Sequence, residues 1–318
     1  MKILANDGLS EKAIKTLEGA GFEVLTTKVA QNQLANFINE EHVEILLVRS
    51  ATQAKRDLID ACPALKLIGR GGVGMDNIDV TYAREKGIKV INTPNASSHS
   101  VAELTFAHLF SGVRFLYDAN RNMPLEGDTR FNELKKDYAK GYELKGKTLG
   151  IIGLGRIGKA VATIALGLGM KVIAYDPEQQ EATITLSFFD GRSLDFVIKT
   201  ISKEEVLKQA DFITLHIPAQ KEAVIGEKEF QQMKDGVGII NVARGGVIDE
   251  EALLHALEHE KVAFAGLDVF EGEPTPSIRI LMHPQVSLSP HIGAATLEAQ
   301  ERVGDELAEQ IIEMMSEK

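Results

Sequence analysis

Short apolar runs alternate with helical patterns along the first hundred residues. "KILAND" (2–7), "FEVLTT" (22–27), "VEILLVRS" (43–50), "LKLIGRGG" (65–72) and "IKVINTP" (88–94) are bounded by turn residues and predict strands. Between them, the stretches Ser10–Ala20, Gln31–Glu41, Lys55–Ala61 and Asp79–Lys86 space their apolar residues at helical intervals. Gly21 and Gly87 stand where helix C-terminal glycines belong. Repeated β-α units of this kind predict a mostly parallel sheet with helices on both faces.

A longer helical pattern follows from Ser98 to about Asn120, with Ser98 or Ser100 as its cap and Glu103 completing a capping box from Ser100. Residues 121–144 have many charges and little apolar periodicity, which predicts an extended arm. A second α/β series runs from Lys147 to about Leu288, and a helix over 296–315 ends the pattern. With no strand after it, that helix is expected to pack back onto the first domain. The expected organisation is α/β, with two doubly wound parallel-sheet domains. Residues 1–98 and 294–318 form one, and residues 99–293 are inserted in it as the other. A cleft between domains joined in this way is a natural ligand site.

Composition narrows the class without changing this picture. At 318 residues, 44% hydrophobic and 25% charged, the chain can bury two ordinary soluble cores. The 35 basic and 46 acidic residues leave a net charge of −11, which argues against nucleic acid or an anionic membrane as the main partner. A local basic pocket for an acidic metabolite stays open. Cys62 is the only cysteine, so no intrachain disulfide and no multi-cysteine metal cage can form, and no metal is expected. The N-terminus lacks an apolar stretch of signal-peptide length, and no run reaches the ~18 apolar residues of a membrane span. A soluble cytoplasmic protein is the expectation.

The chemistry-bearing stretches lie in the second series. In "GLGRIG", Gly153 permits a tight turn, Gly155 lets backbone approach a pyrophosphate, and Gly158 lets the helix pack on its strand. The helix N-terminus offers free N–H groups to phosphate. The next strand, "KVIAY", ends at Asp176, where a carboxylate would accept bonds from an adenosine ribose and repel a 2′-phosphate. This favours NAD over NADP, although Asp176 also reads as a plain turn residue. "NVARGG" carries Arg244 at a strand end, where a guanidinium suits a planar carboxylate; a surface loop arginine is the bland reading. "GLDVFEGEP" and "SLSPHIGAAT" supply Asp268, Glu273 and His291, and a histidine beside a carboxylate is an acid/base pair. Pro290 and Gly293 rigidify the loop at His291. His42, His99, His108, His255, His259 and His283 read as structural, and His216 as lining the cofactor site.

"GLGRIG", "NVARGGVIDE", "DVFEGEP" and "SPHIGAAT", in this order and spacing, resemble the D-isomer-specific 2-hydroxyacid dehydrogenases over nearly the whole chain. "VRSAT" (48–52), "LIGRGGVGMDNID" (67–79) and "VINTPNASSHSVAELTF" (90–106) resemble the members that oxidise D-3-phosphoglycerate. The resemblance implies a Rossmann-like NAD domain inserted in a flavodoxin-like substrate domain. It implies Arg244, Glu273 and His291 as catalytic residues. Around NAD it implies Gly153, Gly155, Arg156, Ile157, Gly158, Asp176, His216, Ile217, Pro218, Ala243, Arg244, Asp268, His291 and Gly293. For a phosphorylated 2-hydroxy acid it implies Arg49, Arg70, Gly72 and Val73, together with Arg244 and His291. A homodimer formed through the region 98–144 is implied as well.

Val73 stands where many members have threonine, and the segment 178–201 is longer than the pattern requires; "TITLSFF" within it reads as an added strand at the sheet edge. Longer phosphoglycerate-oxidising members carry a serine-sensing domain beyond the point matched by Lys318, so feedback through such a domain is not expected. Reduction of hydroxypyruvate or glyoxylate remains as an alternative. More remote is an NAD-sensing corepressor-like role.

Overall fold

The computed structural model describes residues 1–316. The chain divides into two compact units: Met1–Ser98 with the chain from Ala294 onward, and His99–Gly293.

The first unit follows the alternation read from the sequence. β1 (Lys2–Ala5), α1 (Glu11–Gly19), β2 (Glu23–Leu25), α2 (Leu34–Glu40), β3 (Ile45–Val48), α3 (Arg56–Ala61), β4 (Leu67–Arg70), α4 (Val80–Glu85) and β5 (Lys89–Asn92) come in that order. The strands form one sheet, β2-β1-β3-β4-β5, and every pairing in it is parallel. Both faces are covered. Leu4, Leu46 and Ile68 face one cluster with Leu34 and Ile38; Ile3, Ile45 and Leu67 face another with Leu17. This two-sided burial is why the strands read as continuous apolar runs rather than alternating ones.

The second unit opens with helices: α5 (Ser98–Val113), α6 (Leu116–Glu126) and α7 (Phe131–Asp137). Three expectations are corrected here. The long helix is interrupted at Phe115, which takes a left-handed conformation with φ 55°. Its ring lies 6.1 Å from that of Tyr138, whose hydroxyl donates to Asp118 and accepts from Asn122. The stretch beyond residue 121 is largely helical, not extended. Leu134 is the only buried residue of α6 and α7, so these helices leave little apolar periodicity to read. The expected capping box is also absent in form. Ser98 is already the first helical residue, and Glu103 lies 3.2 Å from His99.

There follow β6 (Thr148–Ile152), α8 (Arg156–Gly167), β7 (Lys171–Tyr175), β8 (Glu181–Ser187), β9 (Ser193–Lys199), α9 (Lys203–Gln209), β10 (Phe212–Leu215), α10 (Glu227–Gln232), β11 (Val237–Asn241), α11 (Glu250–Glu258), β12 (Val262–Leu267), α12 (Ile278–Leu281) and β13 (Val286–Leu288). The main sheet has the order β13-β12-β11-β10-β6-β7, again all parallel. "TITLSFF" does not extend it. β8 pairs antiparallel with β9 in a separate hairpin, turning where Phe188 N–H donates to Arg192. Ala182, Ile184 and Ile198 bury one face of the hairpin in the cluster that includes Val161 and Ala165 of α8, so side-chain packing rather than a strand ladder attaches it. Beyond β9, Thr200 makes a single parallel bridge to Ala174 of edge strand β7.

Finally α13 (Leu297–Ser316) returns to the first unit, where Val303, Leu307, Ala308 and Ile311 complete the cluster around Ile3, Ile45 and Leu67. No described helix is long and apolar enough to cross a membrane.

Candidate active site

In both units, parallel strands deliver the predicted site residues to the carboxyl edge of the sheet. This is where doubly wound folds bind ligands. In the second unit Gly153 follows β6, Asp176 follows β7, His216 follows β10, Arg244 follows β11, Asp268 follows β12 and His291 follows β13.

The glycine turn is built for close approach. Gly153 has φ 97°, and a Cβ there would stand 2.5 Å from the His216 carbonyl oxygen. A Cβ on Gly158 would meet the Gly153 oxygen at 2.1 Å, so the helix packs directly on the turn. Gly155 is different: nothing lies within 4 Å of a Cβ placed there. It caps α8 without a side-chain bond, and Arg156 and Ile157 open the helix. Open space in front of uncapped N–H groups is a cradle for phosphate.

Asp176 shapes this cradle. Its carboxylate accepts from Leu154 N–H at 2.7 Å, Glu178 N–H at 2.9 Å and Gln179 N–H at 3.0 Å. Gln179 in turn donates to the Leu154 carbonyl at 3.2 Å. The turn is therefore pinned through both polar groups of Leu154. Of the roughly four acceptor positions of a carboxylate, three serve the backbone and one is left. Gln179 was not singled out from the sequence; a glutamine in a charged post-strand turn carries no distinguishing pattern.

His216 sits beneath the turn. Its Nε2 lies 3.0 Å from Thr214 Oγ1, and its Nδ1 is buried with no partner among the described residues. Burial drives the imidazole down to about 3. Ile217 is half-buried against Gly153, and Pro218 is exposed. His108 is likewise lowered, mainly by burial and against the pull of Asp268.

These two histidines set a pH dependence of stability. The unfolded chain protonates them near 6.5, whereas the folded chain does not. Each folded-state value is depressed below the unfolded one, so stability rises with pH and is lost as pH falls below about 6.5. For His216 the slope is about 1.4 kcal/mol per pH unit, continuing towards its folded value of about 3. The melting temperature is expected to drop between pH 7 and pH 5, and His216→Asn to flatten that drop. Equal slopes in the two proteins contradict the assignment.

The acid/base pair is formed. Glu273 Oε2 lies 2.8 Å from His291 Nδ1, and its Oε1 accepts from Phe270 N–H at 2.9 Å. The carboxylate acts as acceptor, so the proton sits on Nδ1 and Nε2 is the basic nitrogen. No described residue bonds Nε2. Asp268, 1% exposed, holds the loop of the histidine: its carboxylate takes the N–H groups of Ile292 and Gly293, each at 2.8 Å, and its carbonyl takes that of His291. His291 is left-handed at φ 55°. Such a conformation persists where the surroundings over-determine it. Arg244 donates from Nη1 to the carbonyl of buried Ala243 at 2.6 Å, and its own carbonyl accepts from Asn241.

In the first unit, Arg49 follows β3 and Arg70 ends β4. These strands are neighbours, with Val48 opposite Arg70. The Asp7 carboxylate takes Arg49 N–H at 2.6 Å, and Asn77 donates to the Arg49 carbonyl. Among the described residues no acid pairs with the Arg49 guanidinium. That of Arg70 lies across Gly72, where a Cβ would come 2.1 Å from Nη1. Val73 is 37% exposed, and its carbonyl accepts from Asn92. A cavity of about 170 Å³ opens beside Arg49, Asp7 and Gly71, at the reversal of strand order between β1 and β3.

Comparison with known proteins gives the family. The family "D-isomer specific 2-hydroxyacid dehydrogenase, NAD binding domain" matches residues 106–293. The chain is 44% identical over 316 residues to a hydroxypyruvate reductase of Thermotoga maritima, covering 98% of this chain and 97% of that one. It is 42% identical over 313 residues to a D-3-phosphoglycerate dehydrogenase of Methanocaldococcus jannaschii, covering 98% of this chain but 57% of the longer relative. The crystal structure of an NAD+-bound 3-phosphoglycerate dehydrogenase of Entamoeba histolytica superposes with a TM-score of 0.78 at 29% identity, covering 100% of this chain and 96% of that one. The chain belongs to the D-isomer-specific 2-hydroxyacid dehydrogenases. It is an NAD-dependent oxidoreductase.

Proposed function

We propose that the protein oxidises D-3-phosphoglycerate to 3-phosphohydroxypyruvate, the reaction that opens phosphorylated serine synthesis. The chemical part of this reading is carried by the Glu273–His291 pair, whose Nε2 is left as a base. Arg244 would hold the substrate carboxylate and polarise the C2 oxygen with its paired N–H donors. His291 Nε2 would take the hydroxyl proton as C2 loses its hydride, and Glu273 would stabilise the imidazolium. NAD, when bound, accepts that hydride. The residues fit the cofactor: the space at Gly155 faces the uncapped start of α8 for the pyrophosphate, and Asp176 stands at the end of β7 for the ribose. The His216–Pro218 segment and Ala243, Asp268 and Gly293 would line the same edge.

The substrate part rests on Arg49 and Arg70, at the ends of adjacent strands in the first unit. A phosphate calls for such charge, and an uncharged tail does not. A second reading, reduction of hydroxypyruvate, is favoured by the end-to-end match to the Thermotoga protein. Initial rates with 3-phosphoglycerate and with D-glycerate, under equal NAD, separate the two. A clear preference for the phosphorylated acid supports the first reading; equal or reversed preference favours the second.

Two further predictions belong to this reading. Asp176→Ala should weaken NAD about 10–150-fold, the equivalent of a lost charge-assisted hydrogen bond. It should also lower the melting temperature, because Leu154 loses its acceptor. Titration of wild type and variant with both cofactors checks this, and a wild type that prefers NADP refutes the role of Asp176. We also propose a homodimer joined through α5–α7. Leu125 is 76% and Phe131 56% exposed there, and Leu116 and Met123 are exposed beside them. Apolar area of this kind marks an interaction surface. Sedimentation should give a dimer at micromolar concentration; a stable monomer rejects it.

A further inference from the structure

Behind the catalytic loop lies a chain of side chains that the sequence did not connect. The Asp268 carboxylate, which holds Ile292 and Gly293, also accepts from Ser289 Oγ at 2.6 Å. Ser289 Oγ lies 2.9 Å from Nε2 of His108, and His108 Nδ1 lies 2.9 Å from Ser287 Oγ. His108 is 4% exposed and Ser287 6% exposed.

The proton positions follow from the Asp268 end. A carboxylate already accepting backbone N–H groups takes the Ser289 hydroxyl proton as well. Ser289 Oγ then needs a donor, which fixes a proton on His108 Nε2. Nδ1 is left as an acceptor, and the Ser287 hydroxyl supplies its bond. Burial keeps the ring neutral by lowering the imidazole. With His108 neutral, only this tautomer satisfies every polar atom along the line.

The fold makes room for this ring. His108 is on α5, directly over Gly266 of β12, where a Cβ would come 2.6 Å from His108 Cβ and 3.0 Å from its Cγ. Gly266 pairs with Ser287 in β13, so one missing side chain lets the imidazole reach both serines. An apolar residue on α5 would fill the space equally well by volume. It would leave Ser289 Oγ without its donor, and Asp268 would share that serine's freedom.

We infer that His108 is a positioning residue for the reaction: through Ser289 and Asp268 it fixes the loop that sets His291 against Glu273. Buried at 4% exposure, it is placed to act through these side chains rather than on the reacting atoms. The inference rests on the proposed roles of His291 and Asp268, so His291→Ala is run beside it. If that variant keeps near wild-type turnover, the catalytic reading itself fails.

The test is a double-mutant cycle in the full chain, with turnover of whichever D-2-hydroxy acid the wild type oxidises best. His108→Leu and Ser289→Ala are each expected to lower kcat about tenfold, the equivalent of one hydrogen bond, with KM for NAD within about twofold. The double variant should be no slower than the poorer single one, because both break the same line. His108→Gln, which can present an amide N–H to Ser289, should recover kcat to within about threefold of wild type. Additive losses overturn the inference, as does a His108→Gln variant no better than His108→Leu. Should His108→Leu fail to fold, Ser289→Ala and His108→Gln decide: full activity in Ser289→Ala, or a tenfold loss in His108→Gln, overturns it.

Discussion

Turnover of the His291→Ala variant is expected to fall by about 10²–10⁴-fold, the range of a lost general acid–base catalyst, while NAD binding persists. Glu273 occupies Nδ1 of the imidazole at 2.8 Å, and no described residue bonds Nε2. Glu273→Gln should be milder: the amide oxygen can still accept from Nδ1, but no charge opposes the one that forms on the ring as it takes the proton. Stopped-flow measurement of NADH formation checks both variants. Near-normal kcat without His291 removes it from the mechanism, and an unchanged kcat in Glu273→Gln reduces that residue to holding Phe270 N–H.

The second large effect is expected in KM. Arg49→Ala and Arg70→Ala should each raise KM for 3-phosphoglycerate by roughly 10–150-fold, since one charge-assisted phosphate contact is worth about 1.5–3 kcal/mol. An unphosphorylated 2-hydroxy acid should be affected little. The two side chains differ in their settings, which sharpens the comparison. The Arg49 backbone is tied to Asp7 and Asn77, so truncating its side chain leaves those bonds intact. Arg70 fills the space above Gly72, so its loss also frees a segment with φ 152° there. Arg49→Ala is the cleaner probe. If both substrates suffer equally in that variant, the phosphate assignment falls and the broader 2-hydroxy acid reading stands alone.

Much of this site was legible because its residues come in contiguous motifs. Gly153 to Gly158 lie next to a strand and open a helix, and Asp176 closes the following strand, so local spacing carried the geometry. Glu273 and His291 follow successive strands, β12 and β13, whose pairing brings them together. What stayed hidden depends on separation or on exception. His108 meets Ser287 and Ser289 across some 180 residues of chain, and nothing around it distinguishes it from a core histidine. The break at Phe115 uses a left-handed residue that is not glycine, asparagine or aspartate, which composition does not flag. The β8–β9 hairpin alternates like an edge strand, and only the packing of Ile184 and Ile198 by α8 decides that it stands apart.

The return of α13 also has a consequence in time. The second unit has all its strands once residue 288 has been made, but the first does not have its full core until Ile311 arrives. At synthesis rates of about 5–20 residues per second, the interval after Ser98 is on the order of 10–40 s. Through that interval part of the face formed by Ile3, Ile45, Leu67 and Ile91 lacks its cover. The first unit thus completes its core after the second has all its strands, and the nascent chain carries that apolar surface partly bare until α13 has been made.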